Sequence, residues 1–305
     1  MYIGSRLGMK RLNGIIFIVT GAMLWGATGP LMEWLLNHTS MTVSFLLTIR
    51  LSVAGIGLLT YLLLTGKNIF GIWQHKLWGR QLVIFSIVGM LGVQFSFVAA
   101  INASNAVVAT LLQFLAPIFV VAYVSLSLKK WPPKYQVLGI IGTLVGLFLL
   151  LTNASFDSLL ISPKALIWGI AVGLAFAFYT LYPAPLMKEW GVLSVVGWGM
   201  LVGGVALGIV SRIWQSDQWM VLLEFQIALL MIALIFLGTV AFILFLSSMH
   251  YISAVETSVL SSIEPLTAMF ISVIVFGTSL GFWQLIGVFV MLVCVTWLSI
   301  AGEKA

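Results

Sequence analysis

Ten apolar stretches follow one another along this 305-residue chain, with only short polar joints between them. They are Gly14–Met32, Val43–Leu64, Leu82–Ile101, Ala106–Leu128, Tyr135–Leu151, Ala165–Met187, Leu193–Ile213, Ile227–Met249, Val255–Phe276 and Phe282–Ala301. A helix of about 20 apolar residues crosses the hydrocarbon core of a bilayer. Lipid offers no hydrogen bonds to a backbone, so each crossing must satisfy its own amides and carbonyls. A membrane barrel would instead show segments of about ten residues alternating in polarity, and these runs are longer and evenly apolar. The predicted fold class is an all-α polytopic membrane protein with ten transmembrane helices.

Composition supports this. Charged residues make up 7% of the chain and hydrophobic ones 62%, against roughly 25% charged in a soluble domain. Trp34, Trp73, Trp78, Trp131, Trp190, Trp214, Trp219 and Trp283 fall near the expected span ends, where indole rings favour the membrane interface. The joints leave no room for a soluble catalytic domain.

The net charge of +6 does not point to nucleic acid, because the cations are scattered through the joints and form no patch. They act as topology signals. With the N-terminus in the cytoplasm, the inner joints carry Arg6, Lys10, Arg11, Lys67, Lys76, Arg80, Lys129, Lys130, Lys134, Lys188 and Lys304, and the outer ones only Lys164 and Arg212. The positive-inside rule then places both termini in the cytoplasm of a cell with the chain in its inner (plasma) membrane. The basic N-terminus resembles a signal peptide, but no small-residue cleavage site is clear and similar segments follow, so it is read as a first span. Cys294 is the sole cysteine, which excludes a disulfide framework and a CxxC site.

The chain repeats itself. At an offset of 148 residues, Pro117 falls on Pro265, Ala106-Val107 on Ala254-Val255, Gln113 on Ser261, Gln136 on Gln284 and Gly139 on Gly287. Spans 1 and 6 match more loosely, each with an aromatic residue (Trp25, Phe178) five positions before a proline (Pro30, Pro183). The halves are 1–152 and 153–305. Five spans per half is an odd number, so the second copy enters the membrane in the opposite sense, as in many carriers built from inverted repeats.

Several short motifs then resemble those of the drug/metabolite transporter superfamily, of the EamA type. They are Leu24-Trp25-Gly26 in span 1, Arg50 in span 2, Leu115-Ala116-Pro117 in span 4, Ile263-Glu264-Pro265 in span 9, and Gln136/Gly139 with Gln284/Gly287. The resemblance covers nearly the whole chain. It implies a basket of ten helices with a central cavity lined by spans 1, 3, 4, 6, 8 and 9. It also implies transport of small metabolites such as amino acids or amines, with export as the expected direction. The sequence departs from the family pattern at Lys130 and Thr278, where an acid often follows glycine near the ends of spans 4 and 9.

Ionisable groups inside a bilayer are costly and mark function by default. Glu264 stands in span 9 just before Pro265, and Ser261, Ser258 and Thr257 extend the same face. Glu264 is expected to bind a cationic group or carry a coupling proton, or else to serve as a structural acid. Arg50 is a coupling candidate, a holder of an anionic substrate group, or a structural partner of an acid or of backbone carbonyls, Glu264 being one such acid. Gln94, Gln113, Trp25 and Tyr179 complete the expected substrate contacts, and Tyr182 offers another ring. Each polar residue has a plainer reading as an interhelical hydrogen bond, and each ring as packing. His250 reads as a solvated helix end.

The Gly-x-x-x-Gly pairs Gly142–Gly146, Gly169–Gly173, Gly199–Gly203 and Gly204–Gly208 are expected to pack helices within one subunit. The expected state is a monomer or a weak homodimer, with a small-molecule substrate and the lipid bilayer as partners. His38, His75 and His250 show no metalloprotease spacing, and no Gly-rich phosphate loop occurs. No cofactor is expected, and an intramembrane enzyme is the weakest reading. An uncoupled facilitator or channel stays open, although no charge ring or filter segment is visible.

Overall fold

The computed structural model describes residues 2–155, 161–252, 257, 260–261, 263–277 and 279–302, and these form helices and short joints. In order they are α1 (Tyr2–His38), α2 (Val43–Leu64), α3 (Gly71–Gln74), α4 (Lys76–Ile84), a π-helical turn (Phe85–Leu91), α5 (Gly92–Ala103), α6 (Ala106–Gln113) and α7 (Ala116–Leu128). Then come α8 (Lys134–Thr152), α9 (Pro163–Leu181), α10 (Ala184–Trp190), α11 (Val192–Ser211), tight turns over Ile213–Gln215 and Asp217–Leu223, α12 (Phe225–Ser248), α13 (Ile263–Phe276) and α14 (Phe282–Gly302).

Among the described residues, eight helical segments are long and apolar enough to cross a membrane: Arg11–His38, Val43–Leu64, Lys76–Ala103, Ala106–Ser127, Lys134–Thr152, Pro163–Leu181, Val192–Ser211 and Phe225–Ser248. Ile263–Phe276 and Phe282–Cys294 are shorter apolar stretches. The molecule is therefore a multi-pass helical membrane protein. Much of the first part of the expected span Val255–Phe276 lies outside the described residues.

Local chemistry sets the helix starts. Thr42, Asn105 and Ser162 cap α2, α6 and α9, accepting hydrogen bonds from the amides of Phe45, Val108 and Ala165 at 3.3, 2.9 and 3.1 Å. Each satisfies an amide that the first turn leaves free. Pro163 follows at the first helical position, where it forfeits no bond.

Two expected spans differ from simple rods. The stretch 106–128 breaks at Phe114–Leu115, and the stretch 163–190 breaks at Tyr182–Pro183. Pro117 and Pro183 explain the breaks, since a proline lacks an amide proton and crowds the carbonyl four residues earlier. Pro30 behaves otherwise and stays inside an unbroken α1, so the loose match of spans 1 and 6 does not extend to helix continuity.

The bundle is built from closely approaching pairs. α2 runs antiparallel to α11, with Gly55 on Leu201, Gly204 on Ser52 and Gly208 on Thr48. α8 runs antiparallel to α14, with Gly142 on Cys294 and Gly146 on Gly287 and Met291. α1 packs on α12, α5 on α9, and both α6 and α1 on α13. Lipid provides no hydrophobic drive for association, so small residues that let backbones approach supply the contact. Gly169 and Gly173 meet Leu112, Leu115 and Phe119 in the same way, and Gly199 and Gly203 meet Phe85 and Leu91. These glycine pairs thus serve packing inside one chain. The outer surface is apolar, with Leu64, Val210, Phe225 and Phe236 exposed.

Lys129 closes α7 at φ 51°, in the left-handed region. Gly277 takes the same conformation at φ 62° one offset of 148 later. Thr278 lies outside the described residues.

Candidate functional site

Prolines at 30, 117, 183 and 265 stand in the expected spans 1, 4, 6 and 9. Each leaves the carbonyl four positions earlier without its usual amide, and those carbonyls belong to Gly26, Gln113, Tyr179 and Ser261. Three of these four residues were singled out by their side chains. The break at Phe114 places Gln113 as the last residue of α6, and Glu264 lies in the first turn of α13. Short three-residue hydrogen bonds occur at both places: the Leu115 amide bonds to the Leu112 carbonyl at 3.1 Å, and the Glu264 amide to the Ser261 carbonyl at 2.9 Å.

The end of α6 and the start of α13 meet through their side chains. Gln113 Nε2 donates to Glu264 Oε1 at 3.2 Å and to Oε2 at 3.3 Å. Gln113 Oε1 has no hydrogen-bond partner among the described residues. A primary amide can serve a carboxylate by donating and a protonated carboxyl by accepting, so Gln113 can follow Glu264 through a proton exchange by turning its amide over. α1 closes this station from the side. A Cβ on Gly26 would stand 2.5 Å from the Glu264 carbonyl and 2.8 Å from Thr267 Cβ, so only glycine allows the approach.

A second polar station lies around Arg50. Its Nη1 donates to Gln94 Oε1 at 2.9 Å and to Met32 Sδ at 3.4 Å. Gly238 of α12 lies against the guanidinium, where a Cβ would collide with Nη2. Among the described residues, no acid, Glu264 included, and no backbone carbonyl bonds to Arg50. Gln94 on α5 makes the interhelical hydrogen bond that was its plainer reading, to Arg50 on α2. Gly26 and Met32 mark the two stations on α1, six residues or about 9 Å apart along its axis.

An aromatic cluster lies beside them. Trp25 meets Phe176, Phe242 and Phe245 at centroid distances of 5.9, 4.3 and 5.5 Å. Tyr179 meets Phe85, Phe176 and Phe242 at 5.7, 5.9 and 5.7 Å. Tyr182 stays out of the cluster and stacks on Phe178.

Trp25, Arg50, Gln94, Gln113, Tyr179 and Glu264 each expose 2% of their surface or less. The site is therefore closed off in this conformation. Clefts open at either end of the bundle: about 510 Å³ lined by residues including Phe17, Lys67, Trp190 and His250, and about 490 Å³ lined by residues including Thr42, Arg212 and Gln218. His250 is exposed, as expected of a helix end. Ser261 is buried in the turn before α13, and Thr257 shares a hydrogen bond with Ser248 at 3.1 Å. Ser258 lies outside the described residues.

Sequence reasoning missed Met32, Gly238 and Glu33. Glu33 Oε2 accepts from the Ala106 amide at 2.8 Å and so binds the start of α6 to α1. An acid between Met32 and Trp34 was a visible signal; nothing in one sequence marks Gly238 among 29 glycines.

A model of the EamA-like transporter family matches residues 12–152 and again residues 163–300. The chain belongs to the EamA-like transporter family. It lies with that family in the drug/metabolite transporter superfamily. The chain is 35% identical over 293 residues to the uncharacterized inner membrane transporter YicL of Salmonella typhimurium, covering 96% of this chain and 97% of that one. It is 26% identical over 295 residues to the uncharacterized transporter YyaM of Bacillus subtilis, covering 92% and 91%. A crystal structure superposes with a TM-score of 0.62 at 13% identity over 98% of both chains, a likeness of fold. An EamA-like chain of this kind is a membrane transporter and not an enzyme.

Proposed function

We propose that this EamA-like protein is a secondary transporter that moves a small metabolite, such as an amino acid or an amine, by alternating access. The site is the closed polar core around Gln113, Glu264 and Arg50. One observation carries the reading: α6, which breaks off at Gln113 in one half of the chain, and the first turn of α13 in the other half meet through the Gln113–Glu264 contact inside the bundle. A helix that is discontinuous within the membrane is a common construction for carrier binding sites.

Helix pairing supports ten spans in two inverted halves, 1–152 and 153–305. Counting the ten expected spans in order, span 1 packs on span 8 (α1 on α12) and span 3 on span 6 (α5 on α9). Spans 2 and 7, 4 and 9, and 5 and 10 pair with each other. Exchanging the halves maps this set onto itself. The antiparallel sense of the 2–7 and 5–10 pairs fits an axis lying in the membrane plane. The lysine and arginine bias supports an inner-membrane protein with both termini in the cytoplasm.

Glu264 is the group that changes state in the cycle, either by meeting a cationic substrate group or by carrying a proton. The purified protein in proteoliposomes, given labelled amino acids and amines with and without a pH gradient, tests this. Gradient-driven flux that Glu264→Gln abolishes is the expected result, with export as the expected direction. Flux in Glu264→Gln equal to the parent at every pH would remove Glu264 from the mechanism. Gradient-independent flux would identify a facilitator.

A further inference from the structure

The unmatched hydrogen-bonding atoms of the core sort by chemical type. Arg50 Nη2, Gln94 Nε2 and the Tyr179 hydroxyl are buried and have no hydrogen-bond partner among the described residues. Two of these can only donate, and the phenol donates readily. Arg50 keeps its charge wherever it is placed, yet among the described residues no carboxylate bonds to it. Its protein contacts are a neutral amide oxygen and a thioether. A cation so placed in a bilayer, with one strong acceptor, lacks an anion.

Arg50 and Tyr179 both pack on α12. Arg50 lies on Gly238 of α12, and Tyr179 packs on Phe242, one turn further along the same helix face. Gln94 is tied to Arg50 directly. The Gln113–Glu264 station is opposite in character, since its spare groups are a carboxylate and the unpartnered Gln113 Oε1.

We propose that Arg50 Nη2, Gln94 Nε2 and the Tyr179 hydroxyl form the binding site for a carboxylate group of the transported molecule. A planar carboxylate offers two oxygens to one guanidinium edge, an amide and a phenol. Gly238 holds the guanidinium against the α12 backbone, and Met32 and Gln94 fix its other edge. This rests on the carrier reading above and narrows its substrate class to acids: an amine without an acid group leaves the donors unmatched. A site built to hydrogen-bond one group discriminates strongly against an analogue that lacks it.

The test compares matched probes on the purified full-length protein in detergent: alanine, alaninamide and ethylamine; leucine, leucinamide and isopentylamine; phenylalanine, phenylalaninamide and phenethylamine. Binding is read as thermal stabilisation and fitted to a Kd. The expected result is an acid in at least one set that binds tenfold or more tightly than its amide and amine. Arg50→Gln removes that preference, and Tyr179→Phe, which keeps the ring, weakens the acid by about threefold to tenfold.

Gln94→Glu guards against misfolding as the explanation. It places a carboxylate where Arg50 Nη1 already bonds, so the protein stays folded with a higher melting temperature while the acid preference disappears. Acid preference intact in Gln94→Glu and Arg50→Gln, or no acid preference in the parent, overturns the proposal. The two readings fail separately. A protein that moves an amine or amide and ignores Gln94→Glu is a carrier without this site, and one that binds acids through Arg50 but moves nothing has the site without being a carrier.

Discussion

Gly26→Ala should loosen the joint between α1 and the start of α13. The added Cβ would stand 2.5 Å from the Glu264 carbonyl oxygen and 2.8 Å from Thr267 Cβ, where ordinary contact begins near 3.4 Å. The nearest of these is a backbone atom, so no side chain can rotate out of the way and the helices must part by about 0.9 Å (3.4 less 2.5). Overpacking of this kind costs about 1–3 kcal/mol, and backbone contact puts it in the upper half of that range. Alanine returns about 0.5–1 kcal/mol through the unfolded chain and helix propensity. The net loss is about 1.5 kcal/mol. Gly57→Ala is the control, because nothing lies within 4 Å of its Cβ position; it should stabilise by about 0.5 kcal/mol. SDS-driven unfolding in mixed micelles measures both. Transport by Gly26→Ala should also fall, because the shift moves Glu264 away from Gln113. Equal stabilities for the two variants would refute the close approach of α1 to α13.

Three further outcomes follow from the packing. In Gly142→Cys, the new Cβ lies 3.3 Å from Cys294 Cβ, near the span a disulfide needs, so oxidation should close a crosslink between α8 and α14 that non-reducing electrophoresis detects. Failure to crosslink would mean a different register for that pair. Lys129→Gly should raise stability by about 0.5–1 kcal/mol, since a side chain at φ 51° is disfavoured and glycine is not; an unchanged midpoint in the same unfolding titration would contradict it. Gln113→Leu removes the hydrogen bonds to Glu264 and should cost about 1–3 kcal/mol, read in that titration, whereas an unaltered midpoint would show the contact to be dispensable.

The amino-acid order made the number and placement of apolar crossings legible. Val43–Leu64 is both the expected and the observed second helix, because Thr42 caps it and polar residues follow it. The breaks at Phe114 and Tyr182 were marked by Pro117 and Pro183, but Pro30 carries the same mark without a break. Proline only removes one bond; whether a helix ends there depends on what packs around it, and α1 is held along its length by α12 and α13. Glu264 and Gln113 were legible as costly polar groups inside apolar runs. Their contact was not, since 151 residues separate them and only the fold brings them together. Arg50 was legible as a charge but not in its company, because a glutamine, a thioether and a bare glycine leave no signature that names one another. Trp25 and Tyr179 were legible as rings, and only the packing of Phe176 and Phe242 shows that the two share one cluster.

Alternating opening of the two ends can be measured by electron-electron distances between spin labels. One pair at Lys67 and His250 reports the cleft at one end, and another at Asn37 and Asn102 reports the opposite end, where Glu33 binds α1 to α6. Labels go into a Cys294→Ser background in proteoliposomes that carry flux. The account predicts two distance populations at each end, one end widening as the other narrows when pH or substrate is changed. Single, unchanging distances at both ends while substrate moves would contradict it.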